Sequence, residues 1–132
     1  MTRLTIRIDF DDGTALGPGK VRLLELVATT GSIRKAAAGM KMSYRRAWLL
    51  LKALNGMFGK PLAVTATGGK KGGGARLTPL GRAVVTRYRG IERKAGKVAA
   101  PDVKFLVSTL SSSEKHRRPA TTRSQNRRKK PA

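Results

Sequence analysis

Residues 31–58 read GSIRKAAAGMKMSYRRAWLLLKALNGMF and predict two helices joined by a tight turn. Ser32 and Ser43 suit the positions just before these helices, because a serine hydroxyl can accept a hydrogen bond from a free N–H group of the first turn. Gly39 and Lys41 flank the expected turn. We therefore interpret this stretch as a helix-turn-helix.

The predicted second helix has two chemically different sides. The apolar residues recur at steps of three and four, which is typical of a side that packs on a core; they are Ala47, Leu50, Leu51, Leu54 and Phe58. The other side carries Tyr44, Arg45, Trp48 and Lys52. Arginines in the first turn of such a helix can reach guanine or phosphate, so we expect this side to enter a DNA major groove. The alternative is an ordinary solvated helix face with a packed Tyr44 and Trp48 pair.

The charge of the chain also favours a polyanionic partner. Its 132 residues include 29 Lys and Arg against 7 Asp and Glu, which gives a net charge of +22 at pH 7. This length suits one core domain with extensions. A field this cationic points to nucleic acid before a membrane. A ribosome-associated basic protein would have a similar composition and remains an alternative.

Several function classes are disfavoured. The chain has no cysteine, and its single histidine, His116, lies in a polar segment without partners at metal-ligand spacing. The carboxylates are scattered, so we expect no enzyme activity, no catalytic or metal site and no cofactor. No apolar run approaches the roughly 20 residues of a bilayer span, and no signal segment is evident. We expect a cytoplasmic, nucleoid-associated protein with no membrane partner.

The sequence before the helix-turn-helix predicts a strand and a helix. Residues 4–10, LTIRIDF, alternate apolar and polar side chains, as a half-buried strand does. Pro18 suits the first position of a helix, and Gly31 suits the left-handed residue that ends one.

The sequence after the helix-turn-helix predicts a β-hairpin. Residues 62–67, LAVTAT, alternate as a strand does, and residues 75–77 could pair back against them. The intervening residues 68–74, GGKKGGG, could approach a polyanion closely and offer ammonium charge. We interpret this hairpin as the wing of a winged helix; a generic flexible linker is the alternative.

A last helix is predicted to begin after Thr78 and to run to about Gly96. Its apolar residues recur at about 3.5-residue spacing, which favours pairing with a second copy. We assign homodimerisation to Val84, Tyr88, Ile91 and Ala95, and packing on the chain's own core is the alternative. We expect one domain over residues 1–99 and a basic, disordered tail over residues 100–132. Residues 103–110 are apolar and have no assigned role.

Four motifs carry a family resemblance: GSI at 31–33, SYRRAW at 43–48, TGGK at 67–70 and LTPLG at 77–81. In this order and spacing they resemble the DNA-binding domain of ModE-type molybdate-responsive transcriptional regulators, over about residues 17–95. The resemblance implies a mainly α fold with a small β component, a winged helix-turn-helix with a long C-terminal dimerisation helix. It also implies a homodimer that binds a palindromic operator in double-stranded DNA.

From the residues and the resemblance together we predict a sequence-specific transcriptional regulator. The expected DNA-binding residues are Ser32, Arg34, Ser43, Tyr44, Arg45, Arg46, Trp48, Lys52, Thr67, Lys70, Lys71 and Arg76. Full-length members of the family sense molybdate or tungstate through C-terminal modules, and residues 96–132 are too few to form one. We therefore expect no molybdate binding. The alternative function is an architectural nucleoid protein that coats DNA with little sequence preference.

Overall fold

The computed structural model describes residues 1–66 and 74–111. The elements in chain order are β1 (Ile8–Asp9), β2 (Ala15–Leu16), α1 (Pro18–Thr30), α2 (Ile33–Gly39), α3 (Tyr44–Met57), β3 (Ala63–Ala66), β4 (Gly74–Leu77) and α4 (Pro79–Ser108). The chain divides into one unit over Arg3–Ala95 and a second that comprises Gly96–Ala132 and Met1–Thr2. No helix of the described ranges is both long and apolar enough to cross a membrane.

The predicted helix-turn-helix is confirmed, and its ends are fixed as the sequence indicated. Gly31 adopts a left-handed φ of 70° and closes α1 through its N–H to the Val27 carbonyl. The Ser32 hydroxyl accepts from the backbone N–H of Lys35 at 3.0 Å. The Ser43 hydroxyl caps α3 in the same way, accepting from the N–H of Arg46 at 3.1 Å. Such caps satisfy N–H groups that the helix itself leaves without partners.

The core of the first unit lies where α1, α2 and α3 meet the hairpin. Each helix contributes fully buried apolar residues: Val21, Leu24 and Val27 of α1, Ala36 of α2, and Ala47 and Leu54 of α3. The hairpin adds Ala75 and Leu77 of β4, which are buried except for 8% and 5% of their surface. The alanines leave little side chain between crossing helices, so the backbones of α2 and α3 can approach closely. This packing sets the direction in which the opposite side of α3 points.

The predicted hairpin is also confirmed for its described residues. β3 and β4 are antiparallel, with Ala63 opposite Leu77 and Ala66 opposite Gly74. Asn55 holds the end of α3 to the first residues of the hairpin: its side-chain oxygen accepts from the N–H groups of Leu62 and Ala63, and its amide donates to the Ala63 carbonyl. The hairpin tip, residues 67–73, lies outside the described residues.

The start of α4 lies against the beginning of the hairpin. The Thr78 hydroxyl accepts from the Gly81 N–H at 2.9 Å and donates to the Pro61 carbonyl at 2.8 Å. A Cβ atom added to Gly81 would lie 2.0 Å from the Leu62 carbonyl oxygen. Only glycine therefore allows this approach, and the predicted cap at Thr78 is confirmed.

Two boundaries predicted from the sequence were wrong. The strand expected over residues 4–10 pairs only at Ile8–Asp9, because its partner β2 is two residues long. Among residues 4–7 only Ile6 is half-buried, and Leu4 is 43% exposed, so the alternation there does not mark a longer ladder. The short β2 was not foreseen.

The predicted end of the last helix near Gly96 was also wrong, because α4 continues to Ser108 with Pro101 inside it. Residues 100–108 are therefore helical and not a disordered tail. Proline keeps a φ compatible with a helix even though it removes one backbone donor, and Ala99 and Ala100 before it have the highest helix propensity. Residues 112–132, where the rest of the predicted tail falls, lie outside the described residues.

Candidate nucleic-acid interface

The side of α3 opposite the core is open to solvent, as the sequence predicted. Tyr44 and Trp48 are 45% and 42% exposed, and Arg45, Arg46 and Lys52 are exposed as well. The first turn of α3 contains no acidic residue. The partial positive charge of a helix N-terminus therefore adds to the two arginine charges at this end of the helix.

Two contacts between a cation and an aromatic ring order this side of α3. The Arg34 guanidinium of α2 lies 5.1 Å from the centre of the Tyr44 ring. The Lys52 ammonium lies 5.3 Å from the centre of the Trp48 ring. Such contacts stabilise exposed pairs by about 0.5–1 kcal/mol and leave the charge accessible to an anion. Arg34 and Lys52 are thus placed where they could bind phosphate.

The hydroxyls of Ser32 and Ser43 cap helices and can still donate a hydrogen bond to a ligand. Each hydroxyl accepts one backbone N–H as a helix cap, so its own hydrogen remains able to donate. Ser43 is exposed and Ser32 is half-buried. Both lie at helix N-termini, where a phosphate oxygen is favoured.

The hairpin lies beside the Trp48 side of α3. A groove of about 390 Å³ separates the two elements, and its lining includes Trp48, Lys52, Asn55, Val64 and Thr65. Arg76 of β4 is exposed and pairs across the hairpin with Val64. The structure thus brings Arg76 and the α3 side chains to one region of the first unit. The predicted residues Thr67, Lys70 and Lys71 fall outside the described residues.

Sequence reasoning missed one residue of this surface, Leu49. It is 46% exposed and does not belong to the group of partly buried side chains that pack on the core, whereas its neighbour Leu50 does. The signal was present in the sequence, because Leu49 follows Arg45 by four residues and precedes Lys52 by three. Three consecutive leucines masked it, since a run of leucines suggests burial throughout.

A model of the bacterial regulatory helix-turn-helix proteins of the lysR family matches residues 19–82. These residues are similar to the helix-turn-helix domains of that family. The match covers α1 from its second residue, the helix-turn-helix, the hairpin and the first residues of α4, and so it includes every element that contributes to the surface described above.

The sequence is also similar to ModE proteins, which confirms the resemblance seen in the motifs. It is 42% identical over 85 residues to the molybdenum transport protein ModE of Azotobacter vinelandii, covering 64% of this chain and 32% of that protein. It is 38% identical over 94 residues to the molybdenum-pterin-binding protein MopB of Rhodobacter capsulatus, covering 71% and 35%. It is 34% identical over 96 residues to the DNA-binding transcriptional dual regulator ModE of Escherichia coli K12, covering 70% of this chain and 37% of that protein. The chain thus spans about a third of the length of these relatives.

The fold of the domain has solved counterparts. The CbnR DNA-binding domain, crystallised in complex with DNA, superposes with a TM-score of 0.53 at 22% identity, over 66% of this chain and 94% of that chain. Full-length CbnR with its target DNA gives a TM-score of 0.50 at 23% identity, over 63% of this chain and 27% of that chain. These similarities concern the fold, and they confirm the predicted winged helix-turn-helix with a long last helix.

The residues predicted for dimerisation lie on the part of α4 that belongs to the first unit. Ile91 is 42% exposed, and Val84 and Ala95 are half-buried. Tyr88 is only 1% exposed, and its hydroxyl donates to the Ile6 carbonyl at 2.5 Å. Tyr88 thus packs within its own domain, while Val84 and Ile91 line an apolar groove of about 300 Å³.

An ion-pair network ties α4 to α1 within the first unit. Two nitrogen atoms of Arg89 donate to the two carboxylate oxygens of Glu25 at 2.9 and 2.8 Å, and a third donates to Glu92 at 2.7 Å. The hydrogen bonds from Arg89 lower the pKa of the Glu25 carboxyl below its ordinary value, and the same bonds raise the pKa of Arg89. Bidentate pairs of this kind fix orientation as well as distance.

The described part of the domain contains no group of three or more His, Cys, Asp or Glu residues that could hold a metal ion.

Proposed function

We propose that this chain is a transcriptional regulator that binds specific sites in double-stranded DNA as a homodimer, in the cytoplasm at the nucleoid. The observation that carries the proposal is the solvent-facing side of α3, with Tyr44, Arg45 and Trp48 beside the hairpin. The similarity of residues 19–82 to bacterial regulatory helix-turn-helix proteins supports it. So does the similarity to the Escherichia coli protein, which is named a DNA-binding transcriptional dual regulator.

In this proposal each part of the surface has its own role in binding. Tyr44, Arg45 and Trp48 contact base edges in the major groove, and Arg46 and Lys52 contact phosphates or bases. The remaining contacts to the backbone or the minor groove come from Ser32, Arg34, Ser43, Thr67, Lys70, Lys71 and Arg76. Contacts to phosphate fix the register of the protein, and contacts to base edges provide specificity.

Dimerisation would use the apolar side of α4. Val84, Ile91 and Ala95 supply the surface, and the buried Tyr88 supports it from below. A two-fold dimer presents two copies of α3 to successive major grooves, so we expect an operator with a palindromic pair of half-sites.

We also propose that this chain does not bind molybdate and has no enzymatic activity. The similarity to the relatives named for molybdenum covers only about a third of each of them, so their named property does not carry over to this chain. Isothermal calorimetry with sodium molybdate should give no heat beyond dilution, and stoichiometric binding would contradict this.

The second candidate function is an architectural protein that coats DNA, and the net charge of +22 favours it. The two candidates differ in selectivity. Binding of the full chain to a pool of genomic fragments at about 0.2 M salt should enrich a few sites if the chain is a regulator. Uniform weak binding that disappears with rising salt would support the coating protein instead.

Arg45→Ala tests the contact that matters most to the regulator proposal. If Arg45 pairs with guanine, the variant should lose about 1–3 kcal/mol of binding free energy at an enriched site and much less on random DNA. Arg3→Ala is the matched control, because it removes the same charge at an exposed position away from α3. Equal losses of Arg45→Ala on both kinds of DNA would show that Arg45 contacts only phosphate.

A further inference from the structure

Leu49 lies in the middle of the solvent-facing side of α3. Arg45 is four residues before it and Lys52 three residues after it, so all three side chains share one side of the helix. The leucine is 46% exposed and is not packed against the core. A large apolar side chain is therefore held in water at the centre of a cationic surface.

The two aromatic side chains of this surface differ from Leu49 in their surroundings. Tyr44 has the Arg34 guanidinium over its ring, and Trp48 has the Lys52 ammonium over its ring. Each ring therefore lies beside a positive charge. Leu49 has no ring for a cation to lie over, and it is not among the described side chains that pack on the core, so its surface is available to an apolar group brought close by Arg45 and Lys52.

The major groove of DNA offers one apolar group, the 5-methyl of thymine. The other base edges present nitrogen and oxygen atoms, and covering them with leucine would leave them without hydrogen-bond partners. Phosphate gains nothing from an apolar contact. We infer that Leu49 contacts the 5-methyl of a thymine in each half-site and gives the protein a preference for thymine there. This inference rests on the proposed function.

The test uses the full-length chain and the duplex enriched from genomic fragments. Each thymine is replaced in turn by deoxyuridine, which keeps the pairing edge and lacks only the methyl group. At one thymine per half-site the wild-type chain should bind about fourfold more weakly after replacement, the effect of losing one buried methyl group. Leu49→Ala should bind the thymine duplex more weakly and should not distinguish thymine from deoxyuridine at that position. Fluorescence anisotropy gives both affinities.

Two further variants separate this contact from a general effect on the protein. Leu49→Met keeps an apolar side chain and should retain most of the discrimination. Leu110→Ala removes an exposed leucine that lies outside the first unit and should retain all of it. The chain could bind a preferred duplex and yet show no thymine at which the loss of affinity with deoxyuridine depends on Leu49. That result overturns the inference and leaves the proposed function standing. Absence of any preferred duplex overturns the proposed function and this inference with it.

Discussion

At the scale of single residues, the closest approach between elements is made by a glycine. The first turn of α4 lies so near the Leu62 carbonyl oxygen that a Cβ atom on Gly81 would come within 2.0 Å of it. The obstacle is backbone, which cannot rotate away as a side chain could. The LTPLG motif at residues 77–81 is therefore explained by packing: Thr78 caps the helix and Gly81 allows the contact.

We expect Gly81→Ala to destabilise the first unit by about 1–3 kcal/mol, the usual cost of forcing extra volume into a packed site. Gly96→Ala is the matched control, because it lies in the same helix and a Cβ there would meet nothing within 4 Å. That control should be neutral or stabilising by up to about 1 kcal/mol, since alanine favours helix over glycine. Urea unfolding followed by circular dichroism measures both. Equal effects at the two positions would contradict the packing explanation.

At the scale of elements, Asn55 determines where the hairpin lies relative to α3. Its side chain makes three hydrogen bonds to the backbone of Leu62 and Ala63. Removing it leaves two N–H groups and one carbonyl in a part-buried site without those partners, and each such loss costs about 1 kcal/mol or more. The position of the hairpin thus depends on a residue that does not itself need to touch DNA.

Asn55→Ala should lower the free energy of unfolding by about 2–3 kcal/mol. Asn55→Asp keeps the acceptor for both N–H groups and loses only the donor to the Ala63 carbonyl, so its loss should be smaller. Guanidinium unfolding of both variants gives the comparison. A larger loss for Asn55→Asp than for Asn55→Ala would mean that the hydrogen bonds to the oxygen do not dominate.

The pair formed by Glu25 and Arg89 links two other elements, α1 and α4, and it makes their packing depend on pH. Arg89 lowers the pKa of the folded-state Glu25 carboxyl below the ordinary value of 4.5. A lowered folded-state pKa contributes stability that is present above the unfolded-state value and is lost as the pH falls through the folded-state value. The contribution should therefore be complete at neutral pH and should fade in the acid range below about pH 4.5.

Glu25→Gln should consequently be less stable than the wild type at pH 7, and the difference should shrink as the pH is lowered towards 3. Thermal unfolding across this range measures the difference. Asp11→Asn removes an exposed carboxylate that forms no ion pair among the described residues, so it controls for the loss of one negative charge. A constant difference for Glu25→Gln would remove the pH dependence assigned to this pair.

The elements also show which parts of the fold the sequence could predict. Caps and periodicity located α1, α2 and α3 closely, because Ser32, Ser43 and Gly31 act locally and leave a local signal. The extent of β1 and the end of α4 depend on partners and context that a local pattern does not contain. In the interface the charged and aromatic residues of α3 were predictable by type. Leu49 was overlooked although its spacing from Arg45 and Lys52 places it on the same side, because a run of three leucines suggests burial.

At the scale of the whole molecule, the excess of positive charge works against self-association, so a dimer requires an apolar contact to offset repulsion. The exposed Ile91 beside an apolar groove is the candidate for this contact. Burying Ile91 would remove apolar surface from water at little desolvation cost. Its position on α4 favours contact with the same surface of a second copy.

Ile91→Glu should convert the dimer to a monomer at micromolar concentration, since a carboxylate buried against apolar groups without a partner is strongly unfavourable. Thr86→Glu places the same charge at an exposed position of α4 and should leave the dimer intact. Sedimentation velocity separates the two species. A wild-type chain that sediments only as a monomer would remove the dimer from the proposal.

The turn between α2 and α3 contains Lys41 with a φ of 57°, the only positive φ of a non-glycine residue in the described ranges. Such a backbone costs a side-chain-bearing residue about 1–2 kcal/mol. Lysine is thus kept at a strained position next to the surface that would face the phosphates. Replacing it with asparagine, which tolerates this conformation, would raise the stability of the fold and weaken the attraction to a polyanion. Stability and attraction to DNA therefore make opposite demands on this one position.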